Sequence, residues 1–316
     1  MPAITASAPG KAILFGEHAV VYSQPAVAIP VTQIHTKAYI FPRIADPSGE
    51  IHIESPTIDL NAKLSSLPEN HPIRLLFTLL TAELGIKKLP AFHLKITSTI
   101  PVAAGLGSGA ATSVAVIRAI STFLGSPLSN DRVSAIAYEI EKTYHGNPSG
   151  IDNTVITYAQ PLFFIREQPF ELLQVRYPLM FLIADSGVKS STSKVVAQVR
   201  AGWQKEPERY QRIFAAIGEI SRAGRSEIQL GSHQTIGELM NKNHQYLQEI
   251  SISCPEIDRL VSAALSAGAY GAKVSGAGQG GNMIALVPQE QQDDIAVALQ
   301  KAGAVRIMTT RLTSFS

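Results

Sequence analysis

Three glycines within five residues (Gly105, Gly107 and Gly109, in Pro101-Val-Ala-Ala-Gly-Leu-Gly-Ser-Gly-Ala-Ala111) give a backbone that can turn tightly and bring N–H groups against a ligand. The small, apolar run from Ala110 to Ile120 then reads as a helix. Loop and helix together present the positive end of a helix dipole and its free N–H donors, which suits phosphate. No Lys follows the glycines as in GxxxxGK[ST], and this loop carries no GxGxxG. A glycine-rich turn entering a buried helix would use the same residues.

Three more segments hold candidate chemistry. Lys11 and the Glu17-His18 pair bracket an apolar, strand-like stretch, Ala12–Phe15, and charges at the ends of such a strand face either solvent or a site. In Glu141-Lys-Thr-Tyr-His-Gly-Asn-Pro-Ser-Gly-Ile-Asp152, Glu141 falls near a helix C-terminus, where a carboxylate opposes the dipole; a nearby cation or plain solvation would relieve it. Asp152 follows Asn147-Pro-Ser-Gly and suits chemistry or an ordinary turn or cap. Lys273-Val-Ser-Gly-Ala-Gly-Gln-Gly-Gly281 has four glycines, enough for close backbone approach to a ligand or for a flexible hairpin.

The elements that must position these residues change character along the chain. Ala26–Val31, His35–Phe41, Glu50–Glu54 and Phe92–Ser98 read as strands, and His71–Leu84 as a helix stopped by Gly85. The loop helix runs to about Leu124, a second begins at Ser129 or Asn130, and Thr154–Tyr158 and Leu162–Ile165 read as strands. Beyond Leu172 an apolar strand, Leu179–Ala184, precedes helices near Ser190–Gly202, Pro207–Ala223, Ser232–Ile250 and Pro255–Ala267. Strands at Ala272–Val274 and Asn282–Val287, a helix at Gln289–Ala302 and a closing strand at Val305–Thr310 follow. The class is α+β in two domains, 1–173 and 174–316, with the boundary near Leu173.

Composition narrows the function classes. The chain has 316 residues, 45% hydrophobic and 16% charged, which fits a compact soluble protein and excludes wholesale disorder. A net charge of +2 with scattered Lys and Arg gives no footprint for nucleic acid or a membrane surface. The single cysteine, Cys254, cannot form an internal disulfide, in keeping with a cytoplasmic location. The N-terminus lacks a basic and then apolar leader, so no signal peptide is expected. The uncharged run Ile96–Ile117 is long enough to span a bilayer, but Pro101, three glycines and several hydroxyls would break a membrane helix.

The order and spacing of Pro9-Gly-Lys11, the Gly105–Ala111 loop and Ser275-Gly-Ala-Gly278 resemble the GHMP small-molecule kinase superfamily over nearly the whole chain. Within it, Gly10-Lys-Ala-Ile-Leu-Phe-Gly-Glu-His18 and His145-Gly-Asn-Pro-Ser-Gly-Ile-Asp152 look like the branch that phosphorylates mevalonate. The resemblance implies an N-terminal ribosomal-S5-domain-2-like domain and a C-terminal ferredoxin-like domain. It implies transfer from ATP to the 5-hydroxyl of mevalonate in isoprenoid biosynthesis, with Mg2+ as cofactor, and is compatible with a homodimer. By resemblance, Asp152 is the base or orienter at the acceptor hydroxyl, and Lys11 stabilises charge on the reacting oxygens. Pro101, Gly105, Leu106, Gly107, Ser108, Gly109, Ala110 and Ala111 belong to the ATP-phosphate loop. Glu17, His18, Thr192, Ser275, Gly276, Ala277 and Gly278 fall on the acceptor side, and Glu141 with Ser108 holds the metal.

Two departures bear on this. Many members carry a second serine where this chain has Gly109, which supplies no side-chain ligand. Eukaryotic-type members tend to carry Arg where this chain has Ser190, beside Lys189. The alternatives are a related kinase acting on phosphomevalonate, the mevalonate 3-hydroxyl or a sugar, and a non-catalytic sensor of the same fold. A sensor should lack the base or the metal ligand, and candidates for both are present.

Overall fold

The structure is a computed structural model, and it describes residues 4–102, 104–145 and 148–313. Gly146 and Asn147 of the HGNPSGID segment lie outside the described residues. In chain order the strands are β1 (Ile4–Phe15), β2 (Ala26–Pro42), β3 (Ile51–Ser55), β4 (Leu60–Lys63), β5 (Phe92–Ser98), β6 (Leu162–Phe164), β7 (Glu171–Leu172), β8 (Leu179–Asp185), β9 (Gly271–Ser275), β10 (Asn282–Val287) and β11 (Arg306–Leu312). The helices are α1 (Pro72–Leu84), α2 (Ser108–Phe123), α3 (Asn130–His145), α4 (Ile151–Tyr158), α5 (Thr192–Lys205), α6 (Pro207–Leu230), α7 (His233–Glu249), α8 (Pro255–Ser266) and α9 (Gln292–Lys301). The chain divides into two compact units, Met1–Gly10 with Ile34–Ala103 and Gly107–Ala159, and Lys11–Gln33 with Ala104–Leu106 and Gln160–Ser316.

In the first unit, strands run in the order β4-β3-β5-β2, with β3 parallel to β5 and the other pairs antiparallel. Period-two alternation sets the faces: Phe92, Leu94 and Ile96 of β5 are buried while His93, Lys95 and Thr97 between them are not. The α1 helix starts on Pro72, ends at Gly85 in the left-handed region, and buries Ile73, Leu76, Phe77 and Leu80, the stripe its spacing predicts. The α2 helix packs against α1, α3, α4 and β5, which is why nearly its whole surface is apolar.

In the second unit, β2 pairs with β6 and β6 with β7, and a separate antiparallel sheet runs β11-β8-β10-β9. That sheet packs with α7, α8 and α9 around a core that includes Leu182, Ala184, Val274, Met283, Ile257 and Leu299. The mixed α+β class is the expected one. The run Ile96–Ile117 divides between β5, a turn and α2, and among the described residues no helix is long and apolar enough to cross a membrane.

Two expectations are corrected. Thr154–Tyr158 is helical, part of α4, despite its β-branched composition. The helix forms because α2 and α3 cover its Ile151, Val155 and Ile156 face, and Thr154 Oγ1 donates to the Gly150 carbonyl at 2.7 Å. The α6 helix continues past Ala223 to Leu230. Gly224 does not stop it; a Cβ there would lie 2.4 Å from the Phe15 ring, so this glycine makes room for packing.

Backbones come close where α7 packs on β9, and a Cβ on Gly271 would lie 2.1 Å from the Gly237 carbonyl oxygen. Gly271→Ala therefore forces the helix off the strand, and a loss of roughly 1–3 kcal/mol is expected in denaturant unfolding. A midpoint unchanged from wild type would contradict the packing.

Candidate functional site

In the first unit the glycine loop leads directly into α2. Gly107 takes φ 77° and the first helical bond runs from Ala111 N to Gly107 O at 2.9 Å. The N–H groups of Ser108, Gly109 and Ala110 thus have no helical carbonyl behind them and point out of the helix end. Glu141 sits four residues before the end of α3 and is only 4% exposed. Asp152 is in the first turn of α4, at the positive end of the helix dipole, and the Gly150 that caps the helix has φ 90°. Since α2, α3 and α4 pack pairwise, the helix N-terminus, Glu141 and Asp152 all belong to one packed helical layer.

The second unit gathers another set. Lys11 is buried on β1, and its N–H donates to the Leu106 carbonyl at 3.0 Å. Its neighbours Glu17 and His18 are also buried, so neither faces open solvent. Glu17 forms an ion pair with Lys273, which stands in the middle of β9, entirely inaccessible, and also donates to the Val274 carbonyl at 2.7 Å. Burial pushes the Glu17 carboxyl up and the Lys273 ammonium down from their ordinary ranges. Each partner's charge opposes the other's shift, and Lys11 further favours the Glu17 carboxylate.

His18 adopts φ 59°, ψ −45°, a backbone conformation that costs on the order of 1–3 kcal/mol and persists only where the surroundings enforce it. The enforcing contact is a 2.8 Å hydrogen bond between His18 Nε2 and the Ala277 carbonyl. Because a carbonyl can only accept, Nε2 carries the proton. Burial holds the ring's pKa below the ordinary histidine range. Ser275 Oγ donates to the Ile13 carbonyl at 3.1 Å, which fixes β1 to the start of the second glycine loop. Ser190 Oγ donates to the Gly278 carbonyl at 2.6 Å, while Lys189 and Thr192, the first residue of α5, are exposed.

Among the acceptor-side residues named from sequence, Glu17, His18 and the Ser275–Gly278 loop are thus tied together, and Thr192 stands apart with its side chain in solvent. Lys273 was not singled out from sequence. Its signal is one charged residue inside the strand Gly-Ala-Lys-Val-Ser, every position of which is buried.

Lys273→Met strands the Glu17 carboxylate in the core and should cost roughly 3–5 kcal/mol, most of it recovered by Lys273→Met with Glu17→Leu. A single variant as stable as wild type would contradict the buried pair. His18 has its own pH signature. Its pKa is lowered in the fold, so below about pH 6.5 the unfolded chain binds a proton that the fold does not, and stability falls with pH. His18→Gln should therefore lose less melting temperature than wild type between about pH 7.5 and pH 5.5. Equal losses would show that His18 is not held neutral.

Two family descriptions match the chain: the GHMP kinases N terminal domain at residues 70–160 and the GHMP kinases C terminal domain at 225–305. The mevalonate kinase of Pyrococcus horikoshii is 36% identical, with 97% of this chain and 95% of that protein aligned. Among solved structures, L. major mevalonate kinase in complex with R-mevalonate superposes with a TM-score of 0.83 at 27% identity, covering 100% of this chain and 99% of that one. The Methanococcus jannaschii mevalonate kinase gives 0.84 at 27%, covering 99% and 98%. With both glycine loops, the buried Lys11 and Glu141 and the Asp152 helix in place, the chain belongs to the GHMP kinase family.

Proposed function

We propose that the chain transfers the γ-phosphoryl group of ATP to the 5-hydroxyl of mevalonate, giving 5-phosphomevalonate and ADP. The observation that carries this reading is the similarity, over nearly its full length, to a protein named mevalonate kinase. Phosphoryl transfer asks for an aligned hydroxyl and neutralised phosphate charge rather than covalent help from the protein. The α2 N-terminus, with Pro101 and Gly105 to Ala111, receives the ATP phosphates on its N–H groups. Asp152 takes or orients the acceptor hydroxyl proton, and the Lys11 ammonium balances charge on the reacting oxygens. Glu17, His18, Thr192 and Ser275 to Gly278 serve the acceptor, with Lys273 holding Glu17 in place.

The donors present fit Mg2+. Glu141 and Ser108 offer hard oxygen donors, one carboxylate and one hydroxyl. That suits an ion that keeps water and phosphate oxygens as its other ligands and needs only one or two from the protein. When bound, Mg2+ neutralises charge on the phosphate oxygens. With Gly109 in place of a second serine, Ser108 and Glu141 carry the protein's share.

The family matches at 70–160 and 225–305 lie on either side of Leu173, which supports the division into domains 1–173 and 174–316. The same reading places the reaction in isoprenoid biosynthesis in the cytoplasm. ATP and mevalonate are its small-molecule partners, without nucleic acid or membrane, and the family resemblance is compatible with a homodimer. The second reading is transfer to phosphomevalonate, the 3-hydroxyl or a sugar, and of these only the sugar, which has no carboxylate, is favoured by Ser190. Its hydroxyl is engaged by Gly278 and offers no positive charge to an acceptor carboxylate.

Asp152→Ala and Lys11→Met should each lower kcat by about 10³-fold or more in a coupled ADP-release assay. Wild-type turnover by either variant would overturn the assignment of that residue.

A further inference from the structure

A buried side chain that the proposed chemistry leaves out links the helix of Asp152 to the helix of Glu141. Asn153, next to Asp152 in the first turn of α4, is only 5% exposed and donates through Nδ2 to Ser134 of α3, at 2.8 Å to Oγ and 3.1 Å to the carbonyl. The amide orientation follows from chemistry. Turned over, it would set Oδ1 against the Ser134 carbonyl, two acceptors facing each other. As placed, Oδ1 meets no donor among the described residues. Ser134 precedes Glu141 by seven residues, close to two helical turns, so the two share a face of α3.

The other end of α4 is fastened separately. The Arg118 guanidinium on α2 donates to the Thr157 carbonyl at 2.5 Å and to Asn130 Oδ1 at 2.9 Å. This short helix, entered through Gly150, therefore has its tail tied to the helix that carries the phosphate loop and its head tied to the helix that carries Glu141. Without the head tie, nothing in the glycine's backbone would stop the first turn from tilting.

We propose that Asn153 is a positioning residue, which through Ser134 fixes the Asp152 carboxylate relative to Glu141. The proposal rests on the roles given to Asp152 and Glu141 above. Asparagine suits the task because its short amide reaches two acceptors one turn-width away; aspartate would repel the Ser134 carbonyl and alanine would reach neither. A misplacement of about 1 Å at a reacting group can cost on the order of 10²-fold in rate, more than a typical single hydrogen bond contributes to folding.

The test is a double-mutant cycle of Asn153→Ala and Ser134→Ala, read by kcat, by KM for mevalonate and ATP, by calorimetric affinity for Mg-ATP and by melting temperature. Asn153→Ala is expected to lower kcat by about 10–100-fold with each KM within about threefold of wild type. Ser134→Ala, which keeps the backbone acceptor, should lose less. The double variant should be no worse than Asn153→Ala alone. Mg-ATP affinity and melting temperature should change little. A kcat per folded molecule within twofold of wild type, or losses that multiply in the double variant, overturns the proposal while Asp152→Ala still abolishes turnover. If Asn153→Ala does not fold, Ser134→Ala decides: reduced kcat at an unchanged melting temperature supports the tie, and unchanged kcat overturns it. Full turnover by Asp152→Ala would overturn this proposal and the functional reading together.

Discussion

The interaction on which the second unit's arrangement turns is the ion pair between Lys273 and Glu17. Both charges are out of water, and either left alone in the core would cost several kcal/mol. Each therefore holds the other where it is, and residues far apart in sequence become neighbours. From that clamp follow the β9 register that starts the glycine loop at Ser275, the Ser275 bond to Ile13 on β1, and the forced backbone of His18 against Ala277. Strain at His18 is tolerable because Glu17 beside it cannot move away.

The first unit solves its problem differently. Helix dipoles and hydrogen bonds between the helices do much of that work. The first N–H groups of α2 follow a turn in which Gly105 and Gly107 both take positive φ, and Asp152 lies in the first turn of α4. Apolar packing brings α2, α3 and α4 together, but packing alone tolerates small slides. The polar ties from Arg118 and Asn153 remove that freedom at the two ends of α4.

Much of this was legible in the residues. The glycine loop before an apolar run announces a helix N-terminus, and the stripe Ile73, Leu76, Phe77, Leu80 announces α1, because local geometry alone determines both. Thr154–Tyr158 misled because β-branched residues report only a weak local preference, and two neighbouring helices outweighed it. The α6 helix outruns its expected end at Ala223, and the room that Gly224 makes for Phe15 shows only in the packing. Lys273 and Asn153 were passed over for a related reason. A lysine in a strand and an asparagine after a turn are ordinary until their partners, 256 and 19 residues away, are known. Pairings at such separations come from topology and leave no periodic trace.

The central claim is the acceptor and the oxygen that receives the phosphoryl group. Purified protein with Mg-ATP, offered mevalonate, phosphomevalonate, galactose and homoserine in turn, can be followed by ADP release, with the product identified by 31P NMR. The account predicts rapid turnover on mevalonate alone, with the new phosphorus resonance coupled to the C5 methylene protons. Turnover on another acceptor, or phosphate at the 3-hydroxyl, would contradict it.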